Sequence, residues 1–283
     1  MEEALRHFYQ QLHWSGLGLA ILVSLTALAK AADWLVDEAV ALSERSGLPK
    51  SIIGATIVSL GTTTPEVAVS VLAAIKGSPG LALGNAVGSI ICDTGLILGL
   101  ISIMAPLRLD RRIVNRQGWV QIGAALALVA ASFPWRWPES FLSAGGNLSQ
   151  AAGFVFLLAL AAYLWVSARW VQQDWVQEDA LLEVHERDVA AAIPLIIAKL
   201  IVGLALVVLS AQVLIPAVIE AADRLHVPES VIAATVVAFG TSLPELVTAL
   251  AAARRGHGEL AVGTIIGADI LNVLFVAGAA AAV

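Results

Sequence analysis

Charge is scarce in this chain. Only 13% of its 283 residues are Asp, Glu, Lys or Arg, where a soluble domain of this length carries about 25%. Hydrophobic residues make up 59%, and the mean hydropathy is +0.86. That balance excludes an ordinary water-soluble domain and places the chain in a bilayer. Basic residues are scarcer still: 16 Lys and Arg against 22 Asp and Glu leave a net charge of −6. No basic stripe forms, which excludes nucleic acid as a partner. A single cysteine, Cys92, excludes an internal disulfide framework. The five histidines (His7, His13, His185, His226, His257) fall in tails or loops, which argues against a histidine-based metal enzyme. No cleavable signal peptide is visible, because the first ten residues carry Glu2, Glu3, Arg6 and His7 and the apolar run after them is long. Nothing calls for a cofactor or an obligate protein partner.

Long apolar runs are what the chain has instead. A bilayer-crossing helix needs ~20 mostly apolar residues, and such runs are predicted near 14–42, 50–76, 80–105, 117–134, 151–172, 190–222, 229–254 and 258–283. Trp14, Trp119, Trp135, Trp137, Trp170 and Trp175 fall near span ends, where an amphipathic ring prefers the interface. With the N-terminus outside, the cytoplasmic loops hold Arg45, Lys50, Arg108, Arg111, Arg112, Arg116, Arg169, Arg187, Arg254 and Arg255. The outside holds only Arg6, Lys76, Arg136 and Arg224. The excess of Lys and Arg on one side predicts an N-terminus outside the cell membrane. Asp174, Glu178, Asp179, Glu183, Glu186 and Asp188 between spans five and six read as a solvated, acidic cytoplasmic linker. Asp33, Asp37 and Glu38, at the cytoplasmic end of span one, read as interfacial residues or as a funnel for cations.

The chain also repeats itself without a gap. SIIGATIVSLGTTTPE at 51–66 matches SVIAATVVAFGTSLPE at 230–245, an offset of 240 − 61 = 179 between Gly61 and Gly240. The same offset carries LALGNAVGS at 81–89 onto LAVGTIIGA at 260–268. Roughly twenty of about fifty aligned positions are identical, far above what shared apolar composition gives. Five spans separate the starts of the two copies, and five is odd, so the second copy enters the membrane from the opposite side. Inverted repeats of this kind build secondary transporters, with the binding site at the repeat interface near the midplane. The predicted fold is an all-α polytopic membrane protein: an inverted-repeat transporter bundle with helices broken at mid-membrane. A first repeat occupies 14–172, the linker 173–189, and the inverted second repeat 190–283.

The repeated motifs carry oxygen chemistry. Pro65 has no N–H and crowds the carbonyl of Gly61; Pro244 does the same to Gly240. Each helix is predicted to break there, freeing carbonyls that need another partner. Thr62, Thr63, Thr241 and Ser242 add hydroxyls at the same depth, and Glu66 and Glu245 add a carboxylate to each break. An ionised side chain at that depth costs ~2.5–3.5 kcal/mol even on a lenient scale, and two in matched motifs point to function rather than structure. Spans three and eight bring small residues, Gly84 and Gly88 and then Gly263 and Gly267, that let helices approach closely. Four residues beyond Ser89 and Ala268, on the same helical face, come Asp93 and Asn272. Asp269 either shares that face or turns to a neighbouring helix, and Cys92 reads as packing. The sum is a hard, all-oxygen set with a formal charge near −3 from Glu66, Glu245 and Asp93. Ca²⁺ takes roughly six to eight oxygens at about 2.3–2.6 Å in irregular geometry, whereas zinc or copper calls for the imidazole or thiolate that this set lacks.

At these residues the chain resembles the calcium/cation antiporter superfamily, and within it the bacterial sodium/calcium exchanger-like membrane proteins. Its G-T-[ST]-x-P-E and G-[NT]-x-x-G-[SA] pairs match that family's two signature repeats. The resemblance implies Ca²⁺ extrusion driven by inward Na⁺. Glu66 and Glu245 would be the central Ca²⁺ ligands, and Thr62, Thr63, Ser89, Thr241 and Ser242 would complete the Ca²⁺ and Na⁺ sites. It also implies that spans one and six slide against the rest to alternate access.

Three departures stand out. Many relatives carry Asn in span three and Asp in span eight, where this chain reads Asp93 and Asn272. A serine expected in the second repeat is Ala268. The family usually has ten spans, so a chain of eight ending at Val283 reads as truncated. A proton-coupled branch of the family usually carries a glutamate shortly after its Gly-Asn, where this chain has Val87-Gly88-Ser89. Na⁺ coupling is therefore favoured, with H⁺/Ca²⁺ antiport the alternative. An intramembrane enzyme using the same acids is a weaker reading, since it would need a nucleophile or a catalytic metal set and would have no use for the inverted repeat. A channel would share the ligands but predicts ion flux without counter-ion dependence.

Overall fold

The computed structural model describes residues 2–104, 107, 111–134, 147–178, 186–226 and 238–283, and these are helical with short connections. We label the helices α1 (Glu2–Gln11), α2 (Trp14–Ser46), α3 (Lys50–Thr62), α4 (Thr64–Ile75), α5 (Pro79–Met104) and α6 (Arg111–Ser132). Then follow α7 (Gln150–Glu178), α8 (Glu186–Arg224), α9 (Ala238–Thr241), α10 (Leu243–Arg254) and α11 (Gly258–Ala282). Five of them hold an apolar run long enough to cross a bilayer, and the bent pair α3–α4 makes a sixth candidate span among the described residues. Span four is a helix of 22 residues that falls short of that apolar test, its first half carrying Arg111, Arg112, Arg116, Gln117 and Gln121. The start of span seven, 229–237, lies outside the described residues. So does 179–185 of the acidic linker, and helix reaches into that linker from both ends.

Helices α2 and α8 form one antiparallel pair. At one end the Arg224 guanidinium donates to the carbonyls of Leu12 (2.8 Å), Tyr9 (2.8 Å) and Gln10 (3.2 Å). It also pairs with Glu220 at 2.7 Å and lies over the Trp14 ring. Arg224 thereby satisfies carbonyls that the end of α1 leaves without helical partners. Further along, Gly203 faces Leu35, and one turn on Lys199 lies 3.4 Å from Glu38. Residue numbers fall along α8 as they rise along α2, so the two run in opposite directions. The amphipathic α1 buries Tyr9, whose hydroxyl donates to Val213 of α8 at 3.2 Å.

Helices α3 and α11 run parallel and touch backbone to backbone. A Cβ on Gly263 would fall on the Ser51 carbonyl, one on Gly267 within 2.6 Å of Ala55 and Ser59, and one on Gly54 within 2.5 Å of the Leu260 carbonyl. This is the close approach that small residues allow in lipid. Helix α10 turns back into α11 at Gly256 (φ 81°), which makes α10 antiparallel to α3. The two repeats are therefore inverted. At that turn His257 meets Lys50 at 3.3 Å. Burial, then the positive charges of Lys50 and Arg255, hold its imidazole below the ordinary pKa, so a neutral ring accepts from the ammonium. Arg255 pairs with Asp37 and donates to the Asp33 carbonyl at 2.7 Å. Of the acids at the end of span one, Asp37 and Glu38 are thus paired with cations.

Helix α11 is the central pillar: nearly all of its apolar stretch is buried, while most of that of its repeat mate α5 is not. Helices α6 and α7 cover α11, while Leu81, Ile91, Leu96 and Ile103 of α5 are exposed, as befits a face toward lipid. Among the described residues three segments widen to π-helix, Gly54–Val58 in α3, Cys92–Ile97 in α5 and Asn272–Ala277 in α11. Such widening frees backbone groups and recurs at functional sites. At the first, the Tyr163 hydroxyl lies 3.3 Å from the Ala55 carbonyl and 2.9 Å from Gln117 Oε1, so one proton is shared between two acceptors.

The packing of α11 predicts a reversal of sign among glycine substitutions. Gly263→Ala and Gly267→Ala lower the unfolding midpoint in detergent, each costing about 1–3 kcal/mol through overpacking. Gly18→Ala, with nothing within 4 Å of the added carbon, leaves stability unchanged or raises it by about 0.5–1 kcal/mol through helix propensity.

Candidate cation site

Both signature motifs break where the repeat says they should. Helix α3 ends at Thr62 and α4 starts at Thr64, with a bend of 44°. In the second copy α9 ends at Thr241 and α10 starts at Leu243. The intervening Thr63 (φ −78°, ψ −1°) and Ser242 (φ −82°, ψ 9°) share one backbone conformation, near the bridge region between helix and strand. The first ladder closes with Thr63 N–H on the Ser59 carbonyl (2.9 Å) and restarts with Val67 N–H on the Thr63 carbonyl (3.2 Å). Pro65, between them, has no N–H to offer Gly61.

The restart places Glu66 and Glu245 in the first turns of α4 and α10, where helix dipoles favour a negative charge. Each is 1% exposed. The Thr63 hydroxyl donates across the repeat interface to Glu245 Oε1 at 3.2 Å, so the two breaks touch. Both oxygens of Glu66 and the second oxygen of Glu245 have no hydrogen-bond partner. The same holds for both oxygens of Asp93, Oδ1 of Asn272, and the hydroxyls of Ser89 and Ser242, all buried. Glu66, Asp93 and Glu245 lie close enough to repel one another. Buried oxygens without donors cost several kcal/mol each in hydrocarbon, and a convergent set of them is what a bare cation offsets. Among the described residues no three His, Cys, Asp or Glu groups converge at metal-binding distance. An ion here would take one or two carboxylates, with hydroxyl, amide and carbonyl oxygens completing its shell.

The other predicted residues take more particular places. The Thr62 hydroxyl is turned back on its own helix, 3.3 Å from the Val58 and Ser59 carbonyls. Gly61 and Gly240 serve packing as well: a Cβ would collide with Leu204 at the first and meet Ile215 at 3.1 Å at the second, both on α8. Asp269 turns to a neighbouring helix, accepting from Thr94 and from Gln121. Cys92 is a half-buried free thiol packed against the core.

Sequence reasoning missed two residues. Asn85 bridges the repeats: its amide donates to the Glu66 carbonyl (3.2 Å) and to Ser70 Oγ (2.9 Å), and accepts from Thr241 at 3.4 Å. Its place in the repeated Gly84-Asn85 motif was the available signal. Thr248, one helical turn beyond Glu245, is a buried hydroxyl without a partner.

The arrangement predicts stabilisation by a hard divalent ion. At about a hundred times its Kd, Ca²⁺ should add about 2.7 kcal/mol to the folded state, read as a raised unfolding midpoint in detergent. The shift should vanish in the Glu66→Gln, Glu245→Gln double variant.

Comparison with known proteins agrees with this geometry. The sodium/calcium exchanger protein family matches residues 17–169 and 195–283. Sodium/calcium exchanger MaX1 of Methanosarcina acetivorans is 31% identical over 284 residues, covering 92% of this chain and 81% of that protein. Inner membrane protein YrbG of Escherichia coli is 33% identical over 265 residues, covering 91% and 77%. The solved structure of the sodium-calcium exchanger NCX_Mj, soaked with Na⁺ and Sr²⁺, superposes with a TM-score of 0.77 at 29% identity, covering 94% of this chain and 82% of that one. The chain therefore belongs to the sodium/calcium exchanger family, as a multi-pass membrane protein that exchanges cations and not an enzyme.

Proposed function

We propose that this protein extrudes Ca²⁺ in exchange for Na⁺ by alternating access. The observation that carries the reading is the pair of buried, largely unpartnered carboxylates, Glu66 and Glu245, at two touching helix breaks. In this reading both glutamates are central Ca²⁺ ligands, Asp93 and Asn272 flank them, and Ser89, Thr241, Ser242, Thr62 and Thr63 supply hydroxyls to the Ca²⁺ and Na⁺ positions. The carbonyls of Gly61 and Gly240 complete the shell. The name of MaX1 and that of NCX_Mj support Na⁺ and Ca²⁺ as the exchanged pair. The ring of hydroxyls supports Na⁺ over H⁺ as the driving ion, since hydroxyls ligate a small hard cation and relay protons poorly.

Obligatory exchange follows from electrostatics. An empty site with several carboxylates in a low dielectric is costly, so the moving helices cross only when cations neutralise it. Helices α2 and α8 are the moving pair, clasped to each other through Arg224 and Glu38. Arg255, from the α10–α11 turn, grips α2 at Asp33 and Asp37 and has to let go for α2 to slide. The excess of Lys and Arg on one side supports an inner-membrane protein with its N-terminus outside and the acidic linker in the cytoplasm.

The test is flux in proteoliposomes. Vesicles loaded with Na⁺ and diluted into Na⁺-free medium take up radiolabelled Ca²⁺, and Glu66→Gln or Glu245→Gln reduces uptake to the protein-free background. Uptake that ignores the Na⁺ gradient, or follows a pH gradient instead, overturns Na⁺ coupling. Uptake that persists in both variants overturns the site.

A further inference from the structure

Asp269 is a buried acid that the repeat does not explain. The offset pairs Glu66 with Glu245 and Asp93 with Asn272, but it pairs Asp269 with Ile90 (269 − 179 = 90). A symmetric site has no use for it. Asp269 is nevertheless 1% exposed, in the most buried of the described apolar helices. It turns into the seam between α5, α6 and α11. One of its oxygens accepts from the Thr94 hydroxyl and from the Gln121 amide. The other, Oδ1, is buried with no partner. Across the seam Asp93, the residue before Thr94, is fully buried with both oxygens unpartnered, and it lies within Coulombic reach of Asp269. Thr94 is exposed at the outer edge of the seam and Gln121 half-buried beside it.

We propose that Asp269, with Thr94 and Gln121, forms an auxiliary site for a small monovalent cation, Na⁺, set apart from the paired-glutamate site and joined to it through Asp93. The ligands on offer are all oxygen: Asp269 Oδ1, the Thr94 hydroxyl, the Gln121 carbonyl and the near side of Asp93. That set is too small for Ca²⁺, which takes roughly six to eight oxygens, and holds no nitrogen or sulfur for a softer metal. A single positive charge matches the one carboxylate that the symmetric set leaves over. The two donors already on Oδ2 fix the carboxylate's orientation, so that Oδ1 is held ready for an ion. That the bound Na⁺ is a coupling ion rests on the exchange reading; its binding does not.

The experiment therefore reads binding, not transport. The purified Glu66→Gln, Glu245→Gln double variant is titrated with NaCl against choline chloride at equal ionic strength, and its unfolding midpoint is followed. A Na⁺-specific rise is expected to persist in this background, and adding Asp269→Asn should raise the half-saturating Na⁺ by about tenfold or more, the cost of losing a charged ligand. Thr94→Val and Gln121→Leu, at less buried positions, should each shift it in the same direction. They carry the test if the Asp269 variant does not fold. No Na⁺-specific rise in the double variant, or a rise that Asp269→Asn leaves unchanged, overturns the proposal. So does a rise insensitive to both Thr94→Val and Gln121→Leu. Failure of the exchange reading would appear instead as absent Na⁺-driven Ca²⁺ flux in vesicles, with the Na⁺ titration intact.

Discussion

Hydrocarbon offers no hydrogen bonds, and most of this protein's design follows from that. A backbone carbonyl or carboxylate placed in the bilayer core must find a donor within the protein, or a cation. Along most of the chain the helical ladder meets the requirement. At Pro65 and Pro244 it does not, and there the protein gathers threonine and serine hydroxyls, an asparagine and two glutamates, several of whose oxygens stay without a donor. The breaks are thus stable only in company with an ion or with each other. The hydrogen bond from Thr63 to Glu245 provides part of that company, and the asparagine at 85 ties both halves to it.

Rigidity and freedom are distributed to suit. Helix α11 meets α3 backbone to backbone through glycines, and α6 and α7 pack on the same pillar. Helices α2 and α8 are held by cationic contacts. Arg224 gathers three carbonyls, a carboxylate and an indole face at one end. Further along, Lys199 and Arg255 hold Glu38 and Asp37. Apolar surfaces in lipid have little reason to prefer each other over lipid chains, so such polar clasps help decide which helices pair. Gly61 and Gly240 let Leu204 and Ile215 of α8 pack directly against the two breaks.

Much of this was legible in the sequence because the repeat aligns without a gap. The position of both breaks, the inversion, and the burial of Glu66, Glu245, Asp93 and Asn272 all follow from one offset and the properties of proline. What was not legible depends on side-chain direction. Nothing in the spacing says whether Asp269 faces Asn272's side of the helix or Gln121, because a three-residue step fits either once the helix widens to π over Asn272–Ala277. Asp37 and Glu38 read as interfacial acids since their partners, Arg255 and Lys199, lie more than a hundred residues away. Asn85 read as part of a small-residue stripe, and only the fold shows it bonded to both repeats. The polar first half of α6, carrying the Gln117 and Gln121 that bond to Tyr163 and Asp269, was legible as composition but not as a network.

The central claim is that the two breaks together enclose a desolvated cation. Anomalous diffraction from crystals soaked with Sr²⁺ tests it most directly. The account predicts a single strong peak between the Glu66 and Glu245 side chains, bordered by Asp93. A peak confined to the protein surface, or no peak at the breaks at Sr²⁺ concentrations that compete with Ca²⁺ transport, would contradict it.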